Sequence, residues 1–127
     1  MAAKLYYVKD ANSFEEVKQS PIEGIVVNSN LDDLQGRKNT FDGLLLEIIV
    51  DMNAVITNIS TVERYSVLCK DYRSEISIGK KVRLYPIEPA NPESKQGRNT
   101  LNAAALQILN GDTVESTFVS KNYELRN

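Results

Sequence analysis

Residues 62–70 decide the fold class, and they read Val-Glu-Arg-Tyr-Ser-Val-Leu-Cys-Lys. Successive side chains of a β-strand point to opposite faces of the sheet. Glu63, Tyr65 and the other odd-numbered residues therefore share one face of the predicted strand, and Arg64 and the other even-numbered residues share the opposite face. This alternation is typical of a short strand with one face against a core.

A second alternating stretch reads Lys-Val-Arg-Leu-Tyr-Pro-Ile and begins at Lys81. Val82 and Leu84 share one face of this predicted strand, and Arg83 and Tyr85 share the other face with Lys81. The polar face therefore carries two cations and one aromatic ring in a short stripe.

Other strands are predicted where β-branched and aromatic residues cluster between turn residues. They are residues 5–8, 22–27, 41–52, 54–59, 76–78 and 113–121. For 41–52, the most apolar segment, periodicity alone leaves a helix open. Gly24 predicts a bulge or a close backbone approach.

Two helices are expected. Ser13 and Glu16 match a capping box, which predicts a brief helix that ends by Ser20, before a proline. Thr100 is a favourable helix N-cap, and apolar residues follow at positions 101, 105, 108 and 109, which lie on one stripe of a helix about ten residues long. Gly111 follows as a helix stop.

These elements predict a mainly β protein with minor α content. We expect a single domain, residues 1–127, that forms a small β-barrel with one capping helix, because closing the sheet removes the exposed edges of short strands. An α+β sandwich is the alternative architecture.

Composition excludes several kinds of chemistry. The 127 residues include no histidine and one cysteine, Cys69, so His-based triads, His or multi-thiolate metal sites and an intramolecular disulfide are excluded. Asp32 and Asp33 are adjacent, which is typical of loops and turns. A paired-carboxylate active site needs two carboxylates at a defined separation across a cleft. We therefore expect no enzyme activity and no cofactor.

Without a signal peptide or a membrane-spanning apolar run, the expected location is cytoplasmic, with no membrane partner.

The charge is unevenly distributed. The formal net charge is −2, but residues 64–100 carry eight cations against four carboxylates, and three tyrosines lie among them. A protein that binds single-stranded nucleic acid needs cations along the phosphates and aromatic rings that stack on the bases. The candidate binding residues are Arg64, Tyr65, Tyr72, Arg73, Lys80, Lys81, Arg83, Tyr85, Lys95 and Arg98.

Each of these residues also has a simpler interpretation. Lysine and arginine side chains solvate exposed sheet faces, and a tyrosine ring often packs against a core edge. Lys95 and Arg98 lie in a Pro- and Gly-containing loop before Thr100, where they would clamp a phosphate or simply belong to a solvated connector.

Three runs carry a resemblance to a known class of proteins: Ile-Gly-Lys-Lys-Val-Arg-Leu at 78–84, Pro-Ile-Glu-Pro at 86–89 and Leu-Gln-Ile-Leu-Asn-Gly-Asp-Thr-Val at 106–114. In this C-terminal third, the chain resembles small OB-type barrels that bind single-stranded DNA in phages and conjugative elements. The resemblance implies that the predicted barrel with its capping helix is an OB-like β-barrel with an exposed binding face. Its residues would be Tyr65, Lys81, Arg83 and Tyr85.

The sequence therefore leaves two functions. The first is a module that binds single-stranded nucleic acid through a basic strand face with tyrosine stacking. The second is a structural or self-assembling interaction protein, such as a phage or mobile-element particle subunit or an adaptor, in which strand edges and residues 44–50 bind a second copy or a protein partner.

Overall fold

The computed structural model describes residues 3–29, 43–50, 63–72, 74, 76–88 and 99–127. In these residues the chain forms nine strands and no helix. They are β1 (Lys4–Asp10), β2 (Ser13–Glu16), β3 (Ile22–Ser29), β4 (Gly43–Val50), β5 (Glu63–Lys70), β6 (Lys81–Pro86), β7 (Asn99–Asn110), β8 (Thr113–Val119) and β9 (Tyr123–Arg126).

Strands β3 to β7 form a closed five-stranded barrel. The hydrogen-bonded order is β5-β4-β3-β6-β7, and a parallel pairing between β5 and β7 closes the ring. Numbered one to five along the chain, the barrel strands therefore follow the order 1-2-3-5-4-1. The barrel predicted from the sequence is confirmed. β8 pairs with the second half of β7 and extends the sheet beyond the ring.

The barrel has two ends. We name the two ends after the last and first residues of β3. Strands β3, β5 and β7 run from the Ile22 end to the Ser29 end. Strands β4 and β6 run in the opposite direction. At the Ser29 end, Gly79 adopts a positive φ of 94°, and its N–H donates to the carbonyl oxygen of Val26. The predicted turn at Gly79 is confirmed, but the residues from 76 to 80 form no strand.

The interior of the barrel is apolar and follows the predicted alternation. Val67 and Cys69 of β5 point inwards, as do Val82 and Leu84 of β6. Gly24 of β3 lies against β4, because a Cβ there would lie 2.8 Å from the backbone oxygen of Ile49. The close approach predicted for this glycine is confirmed.

The helix predicted after Thr100 is wrong, because this segment is the long strand β7. Tyr85 pairs with Ala105 and Pro86 with Ala103, so Ala104 is the extra residue of a β-bulge. The bulge shifts the alternation by one residue and sends Leu101, Ala103, Leu106 and Ile108 into the barrel. Because the bulge breaks the period of two, the apolar residues at 101, 105, 108 and 109, together with three helix-favouring alanines, resembled a helical stripe. Gly111 lies in the turn to β8.

The helix predicted at Ser13 is also wrong. A turn follows Asp10, whose carboxylate accepts the N–H of Asn12, and the chain returns as β2 beside β1. Phe14 pairs in register with Val8 across this hairpin. Pairing with the preceding strand thus overrides the local capping signal.

β1, β2 and β9 form a second, three-stranded sheet in the order β2-β1-β9. It contributes Leu5, which is buried together with Tyr85, Ala104 and Ala105 of the barrel, and Leu125 packs against the same cluster. The small sheet therefore covers the outer face of β6 and β7 near the Ile22 end. The predictions for residues 30–42, 51–62 and 89–98 lie outside the described residues.

Candidate nucleic-acid interface

Lys81, Arg83 and Tyr85 lie on the outward face of β6, as the alternation predicted. Each side chain, however, has protein contacts. Tyr85 is only 2% exposed, because the small sheet packs over its ring. Its hydroxyl donates to Oε1 of Gln107 at 3.1 Å. The prediction that the Tyr85 ring lies on an exposed binding face is therefore wrong, since a base cannot stack on a covered ring.

Arg83 belongs to a row of polar side chains that crosses four neighbouring strands. The register aligns Glu23, Arg83, Gln107 and Thr117. Arg83 Nε donates to Glu23 Oε2 at 3.0 Å and Nη1 donates to Gln107 Oε1 at 3.2 Å. This row holds β3, β6, β7 and β8 together on the outer face of the sheet.

The pKa of Arg83 reflects these contacts. Partial desolvation lowers it, but the hydrogen bonds and charges of Glu23 and Tyr85 raise it, and the net result is a pKa above the ordinary value. The guanidinium is therefore permanently charged and engaged with a carboxylate.

The two neighbouring lysines are also paired. Lys81 Nζ lies 3.5 Å from Oε1 of Glu23, and Lys80 Nζ lies 3.7 Å from Oε2 of Glu115. Both lysines are exposed, so these pairs are weak and solvent-screened. They nevertheless reduce the positive potential of the β6 face.

The other two candidate tyrosines lie on the core side of the barrel. Tyr65 and Tyr72 are partly buried and pack against the interior cluster. The ring of Tyr72 also lies 4.7 Å from the ring of Phe118. Neither ring stands free on the outward face of a strand, so the exposed position predicted for Tyr65 is also wrong.

The candidate cations do not form one patch on the described strands. Arg64 occupies an outward position of β5, in register with Ile49, whereas Lys81 and Arg83 lie on β6. β5 and β6 are not neighbours in the barrel, because β7 separates them on one side and β3 and β4 on the other. The remaining candidates, Arg73, Lys95 and Arg98, lie outside the described residues.

The outward face of β4 and β5 is a second surface, of which the sequence pointed only to Arg64 and to the segment 44–50. β5 presents Ser66, Leu68 and exposed Lys70 there, and the register places Glu47 of β4 opposite Ser66. Glu47 is buried. The alternation of residues 62–70 predicted this face, and the small sheet packs instead against Tyr85, Ala104 and Ala105 of β6 and β7.

A cavity of about 330 Å³ lies between the small sheet and the barrel. Lys4, Glu16 and Lys18 line it together with Ser20 and Tyr85. Its volume is at the lower limit for small-molecule sites. Lys4 and Glu16 pair with each other at 3.4 Å, so these two charges on its wall neutralise each other.

Cys69 is fully enclosed in the barrel, and burial raises the pKa of its thiol to about 12. A neutral buried thiol is neither a nucleophile nor a metal ligand. The described residues contain no group of three or more potential metal ligands. They also contain no helix that is long and apolar enough to cross a membrane.

Comparison of the chain with protein-family models, with curated proteins and with solved structures finds no significant match.

Proposed function

We propose that this protein is a non-enzymatic module with an OB-type barrel that binds single-stranded nucleic acid. The observation that supports the proposal is the strand order 1-2-3-5-4-1 with its parallel closing pair. OB-type barrels are five-stranded Greek-key barrels that bind oligonucleotides across the face of their second and third strands. Here these strands are β4 and β5.

This proposal moves the interface from β6 to β5. The two cations of β5, Arg64 and Lys70, occupy outward positions six residues apart, which corresponds to about 20 Å along a strand. A bound chain that follows the strand would meet one cation at each end of the barrel. Glu47 lies between them but is buried, which removes its carboxylate from direct contact with a ligand.

A second group of cations precedes β7 in the sequence. Asn99, which directly follows Arg98 in the sequence, pairs with Tyr65, which directly follows Arg64. In OB-type barrels the loop between the fourth and fifth strands contributes to the binding face. The corresponding segment here joins β6 to β7 and contains Lys95 and Arg98.

The burial of the tyrosines favours a binding mode that depends on phosphate contacts. Because Tyr85 is covered and Tyr65 and Tyr72 pack against the core, base stacking contributes little, and most of the affinity comes from phosphate contacts. Such binding depends steeply on salt and only weakly on base identity. Each phosphate contact on a single strand adds about 0.7 to the slope of log affinity against log salt.

A fluorescence-anisotropy titration of a labelled 20-nucleotide oligo-dT at 50 and 200 mM salt tests the proposal. We expect Lys70→Glu to weaken binding roughly ten-fold and to lower the salt slope by about 0.7. Lys9→Glu is the matched control, because Lys9 is an exposed lysine of the small sheet and the charge change is the same. No binding at 50 mM salt, or equal losses in both variants, would contradict the proposal.

Self-association is the second candidate function. It is favoured by one observation, the exposure of β8 at the end of the six-stranded sheet.

A further inference from the structure

β8 is the last strand of the sheet, and it pairs with β7 on one side only among the described residues. Residues 113–117 are all exposed. The edge of β8 that faces away from β7 therefore presents backbone N–H and C=O groups to solvent. Such a row of groups pairs with an extended chain.

Proteins normally protect such edges with short strands, lysines, prolines or bulges. The two edges of the small sheet follow this rule, since β2 and β9 have four residues each and carry two charged residues each. β8 has seven residues, Thr-Val-Glu-Ser-Thr-Phe-Val, with one charge and neither lysine nor proline. β-branched and aromatic residues of this kind favour strand pairing.

The protection that β8 does have is confined to its first half. Leu109 pairs with Val114 and Ile108 with Ser116, so Glu115 is the extra residue of a bulge. Its carboxylate lies 3.7 Å from Lys80 Nζ. From Ser116 onwards the strand is regular.

We propose that β8 binds β8 of a second copy of this chain as an antiparallel pair centred near Thr117, so that the two barrels share one continuous sheet. Centred there, the pair places Thr117 opposite Thr117 and Ser116 opposite Phe118 of the other copy. Threonine pairs across strands are favourable. The two Glu115 carboxylates lie four residues apart along the strands, about 13 Å, which exceeds the Debye length at physiological salt. The pairing therefore opposes no like charges.

The expected affinity is modest. Four or five residues from each strand bury an area at or below the lower limit of specific interfaces, about 1,200 Å² in total. We expect a dissociation constant on the order of micromolar. Because backbone hydrogen bonds carry the pairing, it requires no nucleic acid and depends little on salt.

Sedimentation equilibrium of nuclease-treated protein from 1 to 200 µM tests the proposal. The wild type is expected to approach twice the monomer mass at the upper concentrations. Ser116→Lys is expected to remain monomeric, because it places two lysines, one from each copy, close to the two-fold axis of the β8 pair. Ala11→Lys adds the same charge at the exposed turn between β1 and β2 and is expected to dimerise like the wild type.

A second measurement does not depend on the lysine variant. In Thr117→Cys the two sulfurs should form an intermolecular disulfide under mild oxidation, because residues opposite each other in an antiparallel pair have Cα atoms within disulfide range. The buried Cys69 should not react. A wild type that stays monomeric at 200 µM, or a Ser116→Lys variant that still dimerises, would overturn the proposal whatever the outcome of the oligonucleotide titration.

Discussion

The hydrogen bond between Tyr85 and Gln107 gives a quantitative test of the interface between the two sheets. Gln107→Leu removes the acceptor of a hydroxyl on a side chain that is 2% exposed. A buried hydroxyl whose proton is left without an acceptor costs about 1–3 kcal/mol of unfolding free energy. Tyr85→Phe removes the hydroxyl itself and should cost only about 0.5–1.5 kcal/mol, since Arg83 still donates to Gln107.

The double variant should therefore be more stable than the sum of the single effects predicts. Once both polar partners are replaced, no unsatisfied hydroxyl is left, and we expect a coupling of about 1 kcal/mol. Gln107→Leu also removes the hydrogen bond from Arg83, but it does so whether residue 85 is tyrosine or phenylalanine. This loss therefore cancels when the four proteins are compared in a double-mutant cycle. Urea unfolding followed by circular dichroism gives the unfolding free energy of the wild type, both single variants and the double variant. Equal m-values show that all four proteins undergo the same unfolding transition.

The result that refutes this reasoning is a coupling of zero together with an unchanged stability of Tyr85→Phe. That outcome means that water reaches the hydroxyl of Tyr85, which contradicts its burial between the two sheets.

Gly24→Ala should lower the unfolding free energy by about 1–3 kcal/mol in urea titrations, because its Cβ would lie 2.8 Å from the backbone oxygen of Ile49; an unchanged midpoint speaks against that close approach. Cys69, whose pKa burial raises to about 12, should react with a thiol reagent at pH 8 no faster than the protein unfolds, and rapid labelling would show an accessible thiol. The folded pKa lies above the unfolded value of 9.0, so the stability that this neutral thiol contributes is complete below pH 9 and is lost as the pH rises towards 12. Cys69→Val should therefore gain stability relative to the wild type in that window, and parallel pH profiles would contradict this linkage. Glu23→Gln should cost less than about 1 kcal/mol and less again in 1 M salt, since its ion pair with Arg83 is partly exposed and an amide oxygen can still accept from Arg83; a larger loss that salt does not change would contradict this weak, screened charge pair.

The sequence predicted correctly the strands in which inward and outward side chains alternate without interruption. The inward positions of Val67, Cys69, Val82 and Leu84 follow directly from a period of two. β7 was mistaken for a helix because the bulge at Ala104 interrupts that period, and a bulge is set by the partner strand. Local patterns contain no information about the partner.

The candidate site was less predictable than the barrel, for a related reason. Alternation assigned Tyr85 to the outward face of β6 correctly. Whether that face meets solvent depends on Leu5 and Leu125, which lie 80 and 40 residues away in the chain. A residue pattern shows which side chains share a face, but only the tertiary structure shows which element covers that face.

An NMR titration of the isotope-labelled protein with oligo-dT tests the central claim most directly, because it reports both binding and its location. The account predicts amide shift changes along β5, at Ser66, Leu68 and Lys70, that reverse at 200 mM salt, while Leu5 and Tyr85 stay unchanged. A spectrum that the oligonucleotide leaves unaltered at 50 mM salt, or changes confined to the β6 face, would contradict it.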